Sequence, residues 1–150
     1  MILVAGNHDR YSNTWLGKVI EAWFKNNSRV RVFNDGSQPR KYYLWKSNFF
    51  GLSHGNEENA SLFPALMATE SPELFAKADY REMFVGHFHQ KRSAYYPLNE
   101  NHGVTVRWMP ALSAPDDWHK LKGYVGAKQQ ALGIIYNTDG YDCEFAVNAK

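Results

Sequence analysis

Three short segments of this sequence place histidine beside glycine directly after an apolar run. They are Gly6-Asn7-His8-Asp9, Ser53-His54-Gly55 and Gly86-His87-Phe88-His89. An apolar run that stops at such a segment is typical of a buried strand that enters a loop, and α/β proteins place their chemistry at the carboxyl ends of these strands. Four of the six histidines therefore lie at predicted strand ends.

These residue types favour a metal site. Neutral imidazole is the commonest metal ligand, and an amide or carboxylate oxygen completes a site for a divalent ion. In an extended segment His87 and His89 project to the same side, so both can face one cleft. One histidine at a strand end is more often a polar cap or a satisfied core residue. Three such ends have no common structural explanation, so the sequence predicts a metal site.

Hydrophobic spacing predicts the elements that position these segments. Strands are predicted at residues 2–5, 29–33, 41–45, 48–52 and 82–85, followed by the strand pairs 91–96 with 104–109 and 132–137 with 141–147. Helices are predicted at residues 15–24, 62–69 and 72–78, and the segment 110–126 is predicted to be irregular. We therefore expect one domain, residues 1–150, with a sheet-dominated α/β layered fold.

The first predicted helix carries an apolar stripe. Its members share one helical face and are Trp15, Leu16, Val19, Ile20, Trp23 and Phe24. Such a stripe more often packs into a core than binds a ligand, so we expect this face to be buried.

Composition narrows the class of protein. A chain of 150 residues can bury a core without disulfides, and its single cysteine, Cys143, cannot form an internal one. No apolar run approaches the roughly 20 residues of a membrane span. No secretory signal pattern follows Met1, which predicts a cytoplasmic protein without a membrane partner. The net charge of +2 suits a phosphate-bearing substrate but falls short of a nucleic-acid-binding footprint.

In this order, the three segments resemble the last three signature motifs of the calcineurin-like metallophosphoesterases, G-N-H-D/E, H-G and G-H-x-H. The resemblance covers residues 2–89, and residues 118–124 are similar to the tails of phage-type and bacterial members. It implies a layered β-sandwich flanked by helices, with divalent manganese, iron, zinc or nickel between the sheets. It also implies hydrolysis of phosphate esters, chiefly phosphodiesters, with nucleic acids and nucleotides among the substrates, by attack of a metal-bound hydroxide.

The resemblance implies a ligand role for four residues. Asn7, His54 and His87 would bind one metal, and His89 would bind the other. The family's first two motifs, D-x-H and G-D-x-x-D/N, would precede residue 6, and residues 1–5 contain neither. Because those motifs supply carboxylates, we expect one site to be better formed than the other, with a neutral ligand set that suits zinc or nickel.

The resemblance also implies catalytic roles for His8 and Asp9. His8 would stabilise the charge on the phosphate or protonate the leaving oxygen, and Asp9 would orient His8. Several other polar residues, Asp116, Asp117, Asp139, His102 and His119, are predicted to be solvated instead. Alternatively, His119, which follows Trp118 in the sequence, lines the cleft.

Two other functions fit the sequence. One is a catalytically impaired remnant or an interaction domain, in which a second copy or a partner chain pairs with an open sheet edge beside residues 2–5. The other is a nucleic-acid-binding module, which would use basic residues among aromatic ones at 40–43 and 91–92. Acidic residues scattered through the same regions count against this module.

Overall fold

The computed structural model describes residues 1–33, 38–88, 91–98, 103–113, 121 and 128–149. Within these ranges the chain has a mixed α/β fold. Its helices are α1 (Arg10–Trp23), α2 (Phe63–Glu70), which a 3₁₀ turn at Ala60–Leu62 precedes, and α3 (Pro72–Lys77). Its strands are β1 (Arg40–Trp45), β2 (Asn48–Ser53), β3 (Tyr80–Val85), β4 (Arg92–Tyr96), β5 (Val104–Trp108), β6 (Gln130–Asn137) and β7 (Gly140–Asn148).

Five strands form a mixed sheet in the order β1-β2-β3-β5-β4. The three inner strands, β2, β3 and β5, are parallel, and the outer strands β1 and β4 are antiparallel to their neighbours. Ser53 pairs with Val85, and Val85 pairs with Trp108. The carboxyl ends of the parallel strands therefore lie along one edge of the sheet, which we call the carboxyl edge. The sequence-predicted strands between residues 41 and 109 are confirmed.

Helices α2 and α3 cover one face of this sheet. The side chains of the inner strands alternate between its faces, because successive residues of a strand point in opposite directions. Phe49, Met83 and Val106 are fully buried within the single core cluster, together with Phe63 of α2 and Phe75 of α3. The rings of Phe49 and Phe75 meet edge to face with centroids 6.4 Å apart. The main hydrophobic core therefore lies between the sheet and these helices.

The hairpin β6–β7 contacts the opposite face of the sheet. The Tyr136 ring meets the Phe50 ring edge to face at 4.7 Å, and Asn48 donates from Nδ2 to the carbonyl oxygen of Asn137 at 2.9 Å. Glu144 of β7 pairs with Arg107 of β5. Helices α2 and α3, the five-stranded sheet and the hairpin thus form three layers in that order. The predicted hairpin is confirmed.

An ionic cluster lies between the sheet and the hairpin. Its centre is Glu82, which is fully buried and pairs with Arg107 through Oε1. The other carboxylate oxygen of Glu82 accepts from the hydroxyls of Tyr80, at 3.1 Å, and Tyr136. Burial, followed by the negative charge of Glu82, raises the pKa of Tyr80 to about 12, and burial also raises the pKa of Tyr136. Both hydroxyls therefore stay protonated and donate at neutral pH.

Two predicted strands near the start of the chain are wrong. Residues 2–5 and 29–33 meet only at one isolated parallel bridge, between Ile2 and Phe33. The carbonyl oxygen of Met1 accepts from the Phe33 amide at 2.9 Å, and the Met1 amino group donates to the Arg31 carbonyl at 2.6 Å. An apolar run becomes a strand only where a neighbour pairs along its length. Among the described residues that pairing is limited to this bridge.

The expectation that α1 buries its apolar stripe is also wrong. Helix α1 forms where the spacing predicted a helix, but Trp15 is 66% exposed and Trp23 is 81% exposed. Leu16 and Val19, on the same face, are exposed too. Amphipathic spacing shows that a face would gain from burial, but only a neighbouring element can cover it.

No helix within the described ranges is long and apolar enough to cross a membrane.

Candidate metal centre

The carboxyl edge of the sheet brings His54 and His87 together. β2 ends at Ser53 and β3 ends at Val85, and these two residues are paired neighbours. The chain after β3 is tied to the chain after β2, because the Gly86 amide donates to the Ser53 carbonyl at 3.3 Å. The imidazoles of His54 and His87 then meet with Nε2 of the first 3.2 Å from Nδ1 of the second. Parallel pairing thus turns two distant motifs into one histidine pair.

Asn7 joins this pair from the segment before α1. Its Oδ1 lies 2.9 Å from Nε2 of His54. Gly6 makes the approach feasible, because a Cβ atom at that position would lie 3.2 Å from Cε1 of His54 and 2.9 Å from Oδ1 of Asp9. We call Asn7, His54 and His87 the ligand cluster. It contains one amide oxygen and two imidazole nitrogens, with His54 in the middle.

The spacing of these atoms suits ligands of one divalent ion. Metal–ligand bonds of about 2.0–2.1 Å that meet at roughly 90–110° hold neighbouring donor atoms about 2.9–3.4 Å apart. The separations of 2.9 Å and 3.2 Å within the ligand cluster lie in this range. Two imidazoles and an amide oxygen form a neutral donor set, which favours zinc or nickel over manganese. The two separations are therefore compatible with one shared metal ion, and they are also ordinary hydrogen-bond lengths.

His87 adopts a backbone conformation that is rare for a residue with a side chain. Its φ is +61°, in the left-handed region. Such a residue costs about 1–3 kcal/mol, and it persists where the surrounding structure holds it in place. Gly86, which precedes His87, lies close to His54. A Cβ atom at position 86 would be 3.5 Å from the His54 carbonyl oxygen. The turn after β3 thus aims His87 at His54 at the expense of local stability.

We expect His87→Gly to be more stable than His87→Ala by about 1 kcal/mol, because glycine adopts positive φ without a steric penalty. Urea unfolding of the two variants, monitored by circular dichroism, measures the difference. Ala65, exposed in α2, supplies the control, since Ala65→Gly should instead lose about 1 kcal/mol in a helix. Equal stability of the two His87 variants would contradict the strained turn.

Asp9 and His8 occupy the same turn but differ in their contacts. Oδ1 of Asp9 accepts from the Gly6 amide at 2.6 Å, and the Asp9 carbonyl accepts from the Asn13 amide at 2.7 Å. Asp9 thus closes the turn that carries Asn7 and stands at the N-cap of α1. Among the described contacts it makes no hydrogen bond with His8, which is exposed. The orienting role of Asp9 toward His8 stays a prediction.

A cavity of about 360 Å³ opens beside the ligand cluster. Its wall includes Asn7, His8, Asp9 and His54 from the predicted site. The volume is at the lower end of the roughly 300–1,000 Å³ of small-molecule sites. The cavity starts where α1 begins, and the positive end of a helix dipole attracts anions, but three carboxylates also line the wall. A phosphate group seated here would contact residues of both motifs.

Sequence reasoning gave no role to two acidic residues that line this cavity, Glu57 and Glu58. Glu58 pairs with Arg40 at 2.7 Å, so it also ties the loop after β2 to β1. Glu57 is exposed and adds a carboxylate to the wall. Their position three and four residues after His54, within the same loop, was the signal that could have identified them.

The remaining predicted residues contribute less to the observed site. His89, His102, Asp116, Asp117, Trp118 and His119 lie outside the described residues. Asp139 is exposed in the turn between β6 and β7, as predicted. The described residues contain no group of three or more His, Cys, Asp or Glu side chains that could hold a metal ion. The ligand cluster reaches three donors only with the amide of Asn7.

Comparisons of the chain with protein-family models, with curated proteins and with solved structures give no match.

Proposed function

We propose that the chain is a metal-dependent phosphoesterase of the calcineurin-like type that hydrolyses phosphodiesters. One observation carries the proposal, the proximity of Asn7, His54 and His87. Asn7 and His54 are 47 residues apart in sequence, and His54 and His87 are 33 residues apart. These three residues are the ones that the motif resemblance implies as ligands of one metal. Nε2 of His54 lies 2.9 Å from Oδ1 of Asn7 and 3.2 Å from Nδ1 of His87, and both distances are compatible with ligands of one ion.

The layer order supports the proposed fold type. A five-stranded mixed sheet carries helices on one face and a two-stranded sheet on the other. This arrangement suits a β-sandwich flanked by helices, and the ligand cluster lies at the carboxyl edge of its larger sheet. Ligands of open α/β sheets bind outside the carboxyl ends of parallel strands.

Asn7, His54 and His87 would hold one divalent ion, and His89, the residue that completes the third motif, is proposed for a second. When bound, such an ion withdraws negative charge from the phosphate and lowers the pKa of a water molecule. The residues of the chain would position the ester. The cavity beside Asn7 and His54 would receive the phosphate, with the bound ion and the amino-terminal end of α1 offsetting the three carboxylates on its wall.

His8 is the proposed proton donor. It lines the cavity, and its exposure lets it exchange protons with solvent. As the oxygen of water bonds to phosphorus and the water gives one proton to the solvent, the bond from phosphorus to the leaving oxygen breaks. A ring nitrogen of His8 then gives its proton to that oxygen, so that the products are an alcohol and a phosphate monoester. Asp9 holds the turn from which His8 projects, through its bond to the Gly6 amide.

Metal analysis and hydrolysis by the purified chain test this proposal. We expect the chain to bind zinc or nickel at one equivalent or more and to hydrolyse bis(4-nitrophenyl) phosphate when zinc, nickel or manganese is supplied. The same sample treated with a chelator is the control and should lose the activity. A chain that binds no divalent metal and hydrolyses nothing with any of the three ions would contradict the proposal.

The alternatives from the sequence, an interaction domain and a nucleic-acid-binding module, stay predictions. The exposed apolar face of α1 favours the first, since contiguous exposed apolar residues often mark contact surfaces. We place the phosphoesterase first because α1 by itself does not explain why three motifs meet at one sheet edge.

A further inference from the structure

A second cavity of about 320 Å³ adjoins the ligand cluster. It also lies at the carboxyl edge, where Val85 of β3, Trp108 of β5 and Arg92 of β4 contribute to its wall. Glu58 lines both cavities. The wall also includes Gly55 and Phe88, the residues that follow His54 and His87, and consecutive Cα atoms are only about 3.8 Å apart. The Phe88 ring lines this cavity and contacts the His87 ring, so the second cavity lies next to the ligand cluster.

The wall of this cavity combines aromatic rings with one guanidinium. The Arg92 guanidinium carbon lies 3.9 Å from the centre of the Trp108 ring, and Arg92 is exposed. Trp108 is almost fully buried, so it is a fixed support for the guanidinium plane. Phe88 is 55% exposed, and its ring centre is 5.1 Å from that of His87. Tyr96 adds a partly buried phenol.

We propose that this second cavity binds the nucleobase of a nucleoside phosphodiester whose phosphate lies at the ligand cluster. The proposal depends on the phosphoesterase function proposed above and names its substrate class. Nucleobases stack on aromatic side chains and on arginine planes, and the wall offers both. A saturated alkyl ester would gain from the apolar rings but not from the exposed guanidinium face.

The short distance between the two cavities supports one ligand across both. Phe88 and His87 are consecutive, and their rings are in edge-to-face contact. In a nucleotide the base and the phosphate are joined through a single sugar, so they need adjacent sites. The loops that carry His54 and His87 would thus bind phosphate on one side and the base on the other.

Paired substrates test the proposal in the metal-loaded chain. The first is the 4-nitrophenyl ester of thymidine 5′-monophosphate, and the second is methyl 4-nitrophenyl phosphate, which lacks a base. We expect Arg92→Ala to raise KM for the thymidine ester about tenfold and to leave the methyl ester unchanged, since each stacked base contributes measurably to affinity. Arg29→Ala removes an exposed arginine outside the cavity and should change neither KM.

Arg92→Lys separates stacking from charge, because lysine keeps the charge without the guanidinium plane. We expect this variant to behave like Arg92→Ala. Wild-type behaviour of Arg92→Lys, equal losses for both esters, or no change in Arg92→Ala would overturn the base site. Melting temperatures show whether each variant is folded.

Equilibrium binding distinguishes failure of this proposal from failure of the proposed function. If the wild-type chain hydrolyses neither ester, calorimetric titration with thymidine 5′-monophosphate and methyl phosphate still tests the cavity. A base site without catalysis would be supported if the wild-type chain binds thymidine 5′-monophosphate more tightly than methyl phosphate. Arg92→Ala should then lose this difference in affinity, and Arg29→Ala should keep it. Equal or undetectable binding of the two ligands by the wild-type chain would overturn it.

Discussion

His54→Ala is expected to lower the affinity of the chain for zinc by more than about 100-fold and to abolish metal-dependent hydrolysis. Nε2 of His54 lies 2.9 Å from Oδ1 of Asn7 and 3.2 Å from Nδ1 of His87, so the variant removes the donor atom that contacts both others. Loss of a residue that only hydrogen-bonds to a metal ligand already lowers metal affinity about 10–100-fold. Loss of a ligand itself should therefore lower the affinity more. Calorimetric titration of zinc into the metal-free chain measures this affinity.

His8→Ala is the comparison for this variant. Because His8 is proposed to give a proton to the leaving oxygen and not to bind metal, the variant should keep zinc affinity and lose about 10²–10⁴-fold in the rate of hydrolysis of phosphodiesters whose leaving group is an ordinary alcohol. His54→Gln keeps a polar side chain in case the alanine variant is poorly folded. Unchanged zinc affinity in a folded His54 variant would exclude the ligand cluster as the metal site.

Glu82→Ala is expected to destabilise the fold by about 3–5 kcal/mol, because it leaves the buried Arg107 with one fewer partner and removes the acceptor of two tyrosine hydroxyls. Single domains have a free energy of unfolding of about 5–15 kcal/mol, so this loss is large. Urea unfolding measures it. Glu82→Gln, which keeps the shape of the side chain, should lose less, about 1.5–3 kcal/mol, and keeps the test valid if the alanine variant does not fold.

Glu144→Ala is the matched control, since Glu144 is the other carboxylate that contacts Arg107. It is less buried and also pairs with the exposed Lys91 at 2.7 Å, so we expect a loss of about 1 kcal/mol or less. The hydrogen bond from Lys91, together with the charge of Arg107, holds the pKa of Glu144 below its ordinary value. Its contribution is therefore present above the unfolded pKa of about 4.3 and is lost as the pH falls through the lowered pKa. Equal losses for Glu82→Ala and Glu144→Ala would contradict a buried ionic centre.

Local patterns accounted for most of the strands and helices. Alternating residues with turn residues between them predicted β1 and β2, and the same reasoning predicted the hairpin β6–β7 around Thr138 and Asp139. Pro72 marked the start of α3. These features were predictable because strand period, turn conformation and helix start depend on neighbouring residues in the chain.

The burial of a side chain was predictable only where the residues that cover it are close in sequence. Glu82 reads as an ordinary strand residue, but its partners Arg107 and Tyr136 are 25 and 54 residues away. The apolar stripe of α1 reads as a core face, yet Trp15 and Trp23 are exposed. The residues at 2–5 read as a strand and make a single bridge. In each case the outcome depends on which distant element packs there.

The sequence by itself determined the chemistry-bearing residues Asn7, His8, His54 and His87, because their motifs are short and local. Tertiary structure alone decided that the parallel pairing of Ser53 with Val85 places two histidines side by side, and that Asn7 reaches them. It also decided that Arg92 stacks on Trp108, because antiparallel pairing aligns the first residue of β4 with the last of β5. Strand register sets these distances, and register is a property of the assembled sheet.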